Sequence, residues 1–184
     1  MTQWAEKREN RLIDDDPKKM LERSAEEELK QQLDDIEFSC SISCFSLIRF
    51  ISDYMHDLSI PICHQMIENN DIPCVLVPLL ELKPWLRKNK KGEIEKFEDQ
   101  KWVRVPPQDL QKMPKIEAQI WLTIYNMFLS SDTNRKYEVT TFRKANLLRL
   151  RKYLNEVTLD QLPILSNLLR ALEELSMTQE NPVA

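Results

Sequence analysis

Glycine is almost missing from this 184-residue chain: Gly92 stands alone, against the ~7% usual in globular proteins. Glycine-rich phosphate loops, dinucleotide fingerprints and glycine-flanked nucleophile elbows each need several positions that only glycine fills. All three are therefore excluded. Histidine is nearly as scarce, with His56 and His64 alone. His56 lies near Asp53 and Asp57, and His64 adjoins Cys63, but adjacency in sequence makes no nucleophile–base pair. Both histidines read as surface or capping residues. No apolar leader follows Met1, and no run reaches the ~20 apolar residues that span a bilayer. The expectation is a cytoplasmic protein, not an enzyme, with reduced thiols and no membrane partner. The net charge of −4 supplies no overall attraction to nucleic acid or anionic lipid.

The four cysteines offer no structural zinc site. Cys40 and Cys44 are one helical turn apart, Cys63 and Cys74 follow, and the second close pair that such sites use is missing. Cys40 and Cys44, set among apolar residues, are expected to be buried small hydrophobes. Acid pairs such as Asp34-Asp35 and Glu173-Glu174 read as solvated charge.

What the chain does have is a hydrophobic share of 42%, enough for one domain with a core of its own. Its most apolar stretch is Pro114 to Ser130, PKIEAQIWLTIYNMFLS. Proline suits a first helical turn, and Glu117 places negative charge where the helix dipole favours it. The polar exceptions Gln119, Thr123, Asn126 and Ser130 form one narrow stripe at helical period, and the rest is apolar nearly all round. Such a helix is normally buried among others, so it is expected to be the central one.

Along the chain, residues 1–35 are mostly charged, with Trp4 the only aromatic; Asp14, Asp15 and Asp16 stand before Pro17 as a possible cap. This reads as a helical, partly flexible lead-in. From Ile36 to Leu58, Phe38, Ile42, Phe45, Ile48 (with Leu47), Ile51 and Met55 mark an amphipathic helix. Shorter helices follow from Pro61 to Asn69 and from Pro73, where Pro78 is expected to bend or end the helix early. Lys83 to Val105 departs from helix: Gly92 and Asp99-Gln100 mark turns between short alternating runs, so a two- or three-stranded β insertion is expected at about 83–105. SDTNRKYE after Ser130 is a polar loop. Thr140 or Thr141 then caps a helix expected to face inward with Phe142, Ala145, Leu148, Leu147, Leu150 and Leu154. Asn155 to Gln161 is a turn or short helix. Pro163 opens a last helix with Ile164, Leu165, Leu168, Leu172 and Leu175 as its apolar face. Residues 36–178 thus form the domain and 179–184 a flexible tail. The fold class expected is mainly α, an armadillo-like helical repeat or bundle with a small β-hairpin insertion.

Three segments together carry a resemblance: IPCVLVPLLELKPWLRK, FEDQKWVRVPPQDLQKMPKIEAQIWLTIYNMFLS and TTFRKANLLRLRKYLNEVTLDQLPILSNLL. In order and spacing they resemble the middle portion of the zinc-finger MYND domain-containing protein 10 family. The resemblance covers roughly Ile36 to Thr178, through the run from Pro73 to Trp85, the pair Phe97 and Trp102, QIWLTIYN in the central helix, and LDQLP at Leu159 to Pro163. It implies a cytoplasmic factor for preassembly of axonemal dynein arms in motile cilia. It also implies Hsp90-class chaperone machinery, an immunophilin co-chaperone and axonemal dynein chains as partners, and an armadillo-like body followed by a zinc-binding MYND finger. This chain ends at Ala184 without the finger's Cys/His cluster and without the family's N-terminal helices. It is therefore expected to be a partial product, an isoform or an isolated domain, with no cofactor of its own. Zinc and the leucine-rich-repeat partner of the family's C-terminal region are not carried over.

Two features read as functional on the residues themselves. Lys83 to Lys101 mixes Arg87, Lys88, Lys90, Lys91 and Lys96 with Trp85, Phe97 and Trp102, and the helix from Thr141 adds Arg143, Lys144, Arg149, Arg151 and Lys152. Tryptophan and arginine are favoured interface anchors. Trp85, Arg87, Lys91, Phe97, Trp102, Arg143, Arg149 and Lys152 are accordingly expected to contact a protein partner. Two alternatives stay open: an RNA-binding module using stretches 83–101 and 143–152, and a structural role in which Trp85 and Trp102 pin the insertion to the core.

Overall fold

The structure is a computed structural model that describes residues 24–89, 91–129 and 137–178. The expectations for Trp4, the aspartates before Pro17, Lys90, Ser130, the loop residues 131–136 and the tail 179–184 lie outside them. The architecture is mainly helical, with one small antiparallel sheet.

Helix α1 spans Ala25–Asp53. It starts on a capping box: Ser24 Oγ accepts from the Glu27 N–H, and the Glu27 carboxylate accepts from the Ser24 N–H. Glu26, Glu27 and Glu28 complement the dipole in the first turn. One helix therefore crosses the boundary expected at residue 35. Phe38, Phe45 and Ser52, seven residues apart, point into the core. Cys40 and Cys44 do not: both are exposed, which corrects the expectation of burial. Their positions on the helix fall away from the Phe38–Phe45 line, where apolar neighbours in sequence are no longer neighbours in space. Cys63 and Cys74 are the buried thiols.

Helix α2, Ile60–His64, runs on as a single π turn, Gln65–Asn69, closed by Asn70 N–H to the Gln65 carbonyl at 3.1 Å. Helix α3 covers Ile72–Leu82 and continues through Pro78 rather than ending there. Its buried Cys74, Leu76, Val77, Leu79 and Leu80 gain more from packing than the one backbone bond that proline removes. It stops at Lys83, which is left-handed at φ 44° and donates its N–H to the Leu79 carbonyl at 2.8 Å.

Strands β1 (Leu86–Lys88), β2 (Ile94–Glu98) and β3 (Lys101–Arg104) form an antiparallel meander. Gly92 takes φ 76° in the first turn, and the Asn89 carboxamide oxygen gathers the N–H groups of Lys91 and Glu93 there. Asp99 and Gln100 join β2 to β3 with both φ values positive, the geometry of a two-residue hairpin.

Helix α4, Lys115–Leu129, is central: Ile116, Ile120, Trp121, Ile124 and Met127 are buried, and it packs against α1, α3 and the last helix. Its polar stripe faces a neighbour rather than solvent. Gln119 accepts from Ser46 at 3.0 Å, Asn126 donates to Asp53 at 2.9 Å, and Thr123 is buried. Helix α5, Thr141–Leu148, is capped by Thr140 and leads into a 3-10 segment, Arg149–Tyr153. Short α6, Glu156–Gln161, is capped by Asn155, and α7, Leu165–Met177, buries Leu165, Leu168 and Leu172. Leu147, Leu150 and Leu154 are buried, but Phe142 is 68% exposed and Ala145 and Ile164 also face solvent. Arg143 takes the inward position expected for Phe142. No helix among the described residues is long and apolar enough to cross a membrane.

Candidate functional site

The β insertion is fastened to the helices by its aromatic residues. Trp85, immediately before β1, is fully buried; its indole N–H donates to Glu117 Oε2 at 3.4 Å, and its carbonyl receives the Phe97 N–H at 2.8 Å. Lys83 Nζ reaches the other oxygen of Glu117 at 2.7 Å. Phe97 meets Phe38 of α1 edge-on with ring centres 4.7 Å apart, and Trp102 stacks on the same ring at 5.6 Å and 11°. Arg87 lies 4.2 Å over the Trp102 ring while its Nε donates to Glu95 at 2.6 Å. Trp85, Arg87, Phe97 and Trp102 thus form one unit holding the sheet on α1 and α4. Trp85 has no exposed surface to offer a partner. Lys91, at the hairpin tip, is exposed.

Arg143 belongs to a separate, buried clamp. Its guanidinium donates to Asp71 Oδ2 at 3.0 Å, to the Ile67 and Glu138 carbonyls at 2.9 and 2.7 Å, and to Glu68. It also lies 4.5 Å over the Tyr137 ring. Tyr137 in turn donates to Asp71 Oδ1 at 2.6 Å and stands 3.4 Å from Cys74 Sγ. Burial, then the bond to Asp71, pushes the Tyr137 phenol up from its ordinary value, and burial also raises the Cys74 thiol. Neither group is poised for proton transfer or attack.

Arg149 and Lys152 converge on Glu81 of α3: Arg149 Nε donates at 3.1 Å, and Lys152 Nζ stands at 3.3 Å. Burial opposes the charge on Glu81, but the bonds from Arg149 and Lys152 outweigh it and hold the carboxyl below its ordinary value. Both basic residues keep much of their side chain in solvent.

Seven of the eight expected contact residues therefore fall into three groups, the sheet anchor, the Arg143 clamp and the rim at Glu81, and Lys91 stands apart at the exposed hairpin tip. Acids oppose several cations of the basic stretches, with Lys96 on Glu98 besides the pairs above, and Arg104 just beyond them meets Glu93. A backbone-tracking positive groove of the kind single-stranded RNA needs is not favoured by such pairing. The acids Asp71, Glu81 and Glu117 are not among the expected site residues, and from sequence Glu117 reads only as a first-turn charge. For Glu117 a signal existed: it shares the three- and four-residue spacing of Ile120, Trp121 and Ile124, which marks the buried face.

Cys63 is fully buried with its thiol 3.6 Å from the Met55 carbonyl, while His64 is exposed, so the adjacent pair forms no dyad. Among the described residues no group of three His, Cys, Asp or Glu is placed to hold a metal ion.

No family model matches the chain, and no solved structure matches it. Over 151 residues, 82% of its length, it is 31% identical to the zinc finger MYND domain-containing protein 10 homolog of Drosophila melanogaster. The chain spans about a third of that relative's length, 33%. Over this stretch the chain belongs to the zinc finger MYND domain-containing protein 10 family.

Proposed function

We propose that this chain is a non-enzymatic, armadillo-like helical adaptor that acts in the cytoplasm in preassembly of the axonemal dynein arms of motile cilia. Its partners in this reading are Hsp90-class chaperone machinery, an immunophilin co-chaperone and dynein chains. The observation that carries it is the 151-residue similarity to a member of the family. The geometry supports a binding role over a catalytic one: the ionisable side chains with perturbed protonation are each engaged in a structural bond.

Within this reading the partner is met by the exposed cations, Lys91 at the hairpin tip and Arg149 with Lys152 at the rim. Trp85, Phe97, Trp102, Arg87 and Arg143 position these surfaces from beneath. Exposed charge governs encounter and specificity more than bulk affinity. The test is charge reversal at Lys91→Glu, Arg149→Glu and Lys152→Glu, read by capture of dynein chains from ciliating cells. The variant should keep its circular dichroism spectrum and lose about tenfold or more of the captured dynein, which corresponds to about 1.4 kcal/mol or more at interface charges. Undiminished capture would remove these residues from the interface.

A further inference from the structure

Helix α1 is apolar on two opposite faces. One is the Phe38–Phe45 face packed on the core. On the other stand Leu29, Leu33 and Ile36 in the first half and Leu47, Phe50 and Tyr54 in the second, with Cys40 and Ser43 between. The six large side chains are between 48% and 68% exposed, and Cys40 is exposed too. Successive members are four and three residues apart in strict alternation from Leu29 to Tyr54. That is the heptad spacing of a helix–helix seam, sustained over about 36 Å of helix, with Tyr54 at the C-cap. A loop, a sheet or a lipid surface has no need of it. Together the six leave on the order of 600 Å² in solvent, at the top of what a monomer ordinarily exposes and close to the ~800 Å² per partner of a standard interface.

We propose that this face docks a second copy of the chain through an antiparallel coiled coil centred between Ser41 and Ile42. The spacing reads the same in both directions, so the stripe is its own antiparallel complement. In that register Leu29 opposes Tyr54 of the second copy, Leu33 opposes Phe50, Ile36 opposes Leu47, and the small Cys40 opposes the small Ser43. Each layer pairs the two kinds of core position that antiparallel helices bring together. The flanks agree: Lys30 lies beside Ile51 of the second copy, Glu37 beside Cys44, Gln32 beside Asp53 and Ser39 beside Ser46, with no like charges facing. The helix dipoles also oppose favourably. Gln100, on an exposed turn, has its Nε2 3.4 Å from Ser43 Oγ, and its long side chain turns aside when the central layer closes. Anionic membrane is a poorer occupant, since Glu37, Asp53 and Glu26 to Glu28 border or begin the stripe.

Light scattering on the eluting full chain tests this from low- to high-micromolar concentration. The expected mass is about twice 21.9 kDa. Leu33→Glu or Leu47→Glu should raise the dissociation constant at least about tenfold with helicity unchanged, while Met177→Glu, at an exposed site off the stripe, should leave it alone. Orientation is read on a background carrying Cys40→Ser and Cys44→Ser. Chains with Ile36→Cys and chains with Leu47→Cys should form a mixed disulfide when oxidised together, and neither should dimerise covalently by itself. A monomer at every concentration would overturn the proposal and leave the face to a helix of another polypeptide. Covalent dimers of Ile36→Cys alone would equally overturn it in favour of a parallel pair. The proposal does not depend on the dynein-assembly reading, because its readouts are mass and cross-linking of the isolated chain.

Discussion

Trp85 and Glu117 meet in the core at 3.4 Å, the indole N–H donating to a carboxylate that is itself only 5% exposed. The second oxygen of that carboxylate holds Lys83 at 2.7 Å. One buried acid thus ties the end of α3 and the entry to the sheet onto the central helix. Glu117→Ala strands a buried indole N–H and should cost about 2–3 kcal/mol, as loss of hydrogen bonds to a charged group does. Glu117→Gln keeps an acceptor for Trp85 and should cost about half that. Urea unfolding separates the two; equal costs would mean that a neutral acceptor does nothing for Trp85 and that the charge on Glu117 carries the whole effect.

Gln100 sits at φ 64° beside Asp99 at φ 49°, a pair of left-handed residues in a hairpin turn that favours Asp-Gly. Gln100→Gly should therefore stabilise the protein by about 1 kcal/mol, since a side chain in this region costs roughly 1–2 kcal/mol. A rise of about 2–4 °C in the midpoint of thermal unfolding is the expected reading for a chain of this size. A fall would show that the Gln100 contact with Ser43 outweighs the backbone strain.

Arg143 is the hub of its clamp, with Asp71, Glu68 and two carbonyls around a side chain that is 7% exposed. Arg143→Met leaves Asp71 facing no cation and should cost about 3–5 kcal/mol, the usual price of one missing partner in a buried pair. Arg143→Lys keeps the charge without the planar fork and should fall between. Denaturant titration of the three proteins orders them; a neutral Arg143→Met would show the clamp to be dispensable.

Acid should loosen the rim at Glu81 and the strand at Glu98. Both carboxyls sit below their ordinary 4.5: burial works against the charge on Glu81 but the bonds from Arg149 and Lys152 prevail, and Lys96 lowers Glu98. A depressed acid contributes stability that is present above pH 4.5 and lost as pH falls through the lower folded value. Glu81→Gln should flatten this loss while leaving the neutral-pH midpoint only slightly reduced. Parallel acid curves for the two proteins would contradict the assignment.

Much of this was legible in the chain. The run around Ile120 to Met127 is apolar on most of its circumference, and such a helix has nowhere to go but the centre. Gly92 and Asp99-Gln100 marked both hairpin turns, because so few residues tolerate that backbone. The start of α1 was not legible: its capping box at Ser24 and Glu27 lies inside the stretch that reads as a lead-in. What could not be read were pairings across long separations. Arg143 displaces Phe142 from the inward position only because Asp71, 72 residues earlier, is there to receive it. Cys40 and Cys44 look buried among Phe38, Ile42 and Phe45, yet a helix separates sequence neighbours by 100° a residue. Trp85 illustrates the same limit for the site, since its partner Glu117 is 32 residues away.

In the proposed role, this stretch of the family binds the dynein-assembly machinery through its helical body. Affinity capture of the 184-residue chain from ciliating cells, read by mass spectrometry beside an empty tag, tests it most directly. Axonemal dynein chains recovered together with Hsp90-class chaperones and an immunophilin are the predicted result. Recovery of general heat-shock proteins without any dynein chain would contradict it.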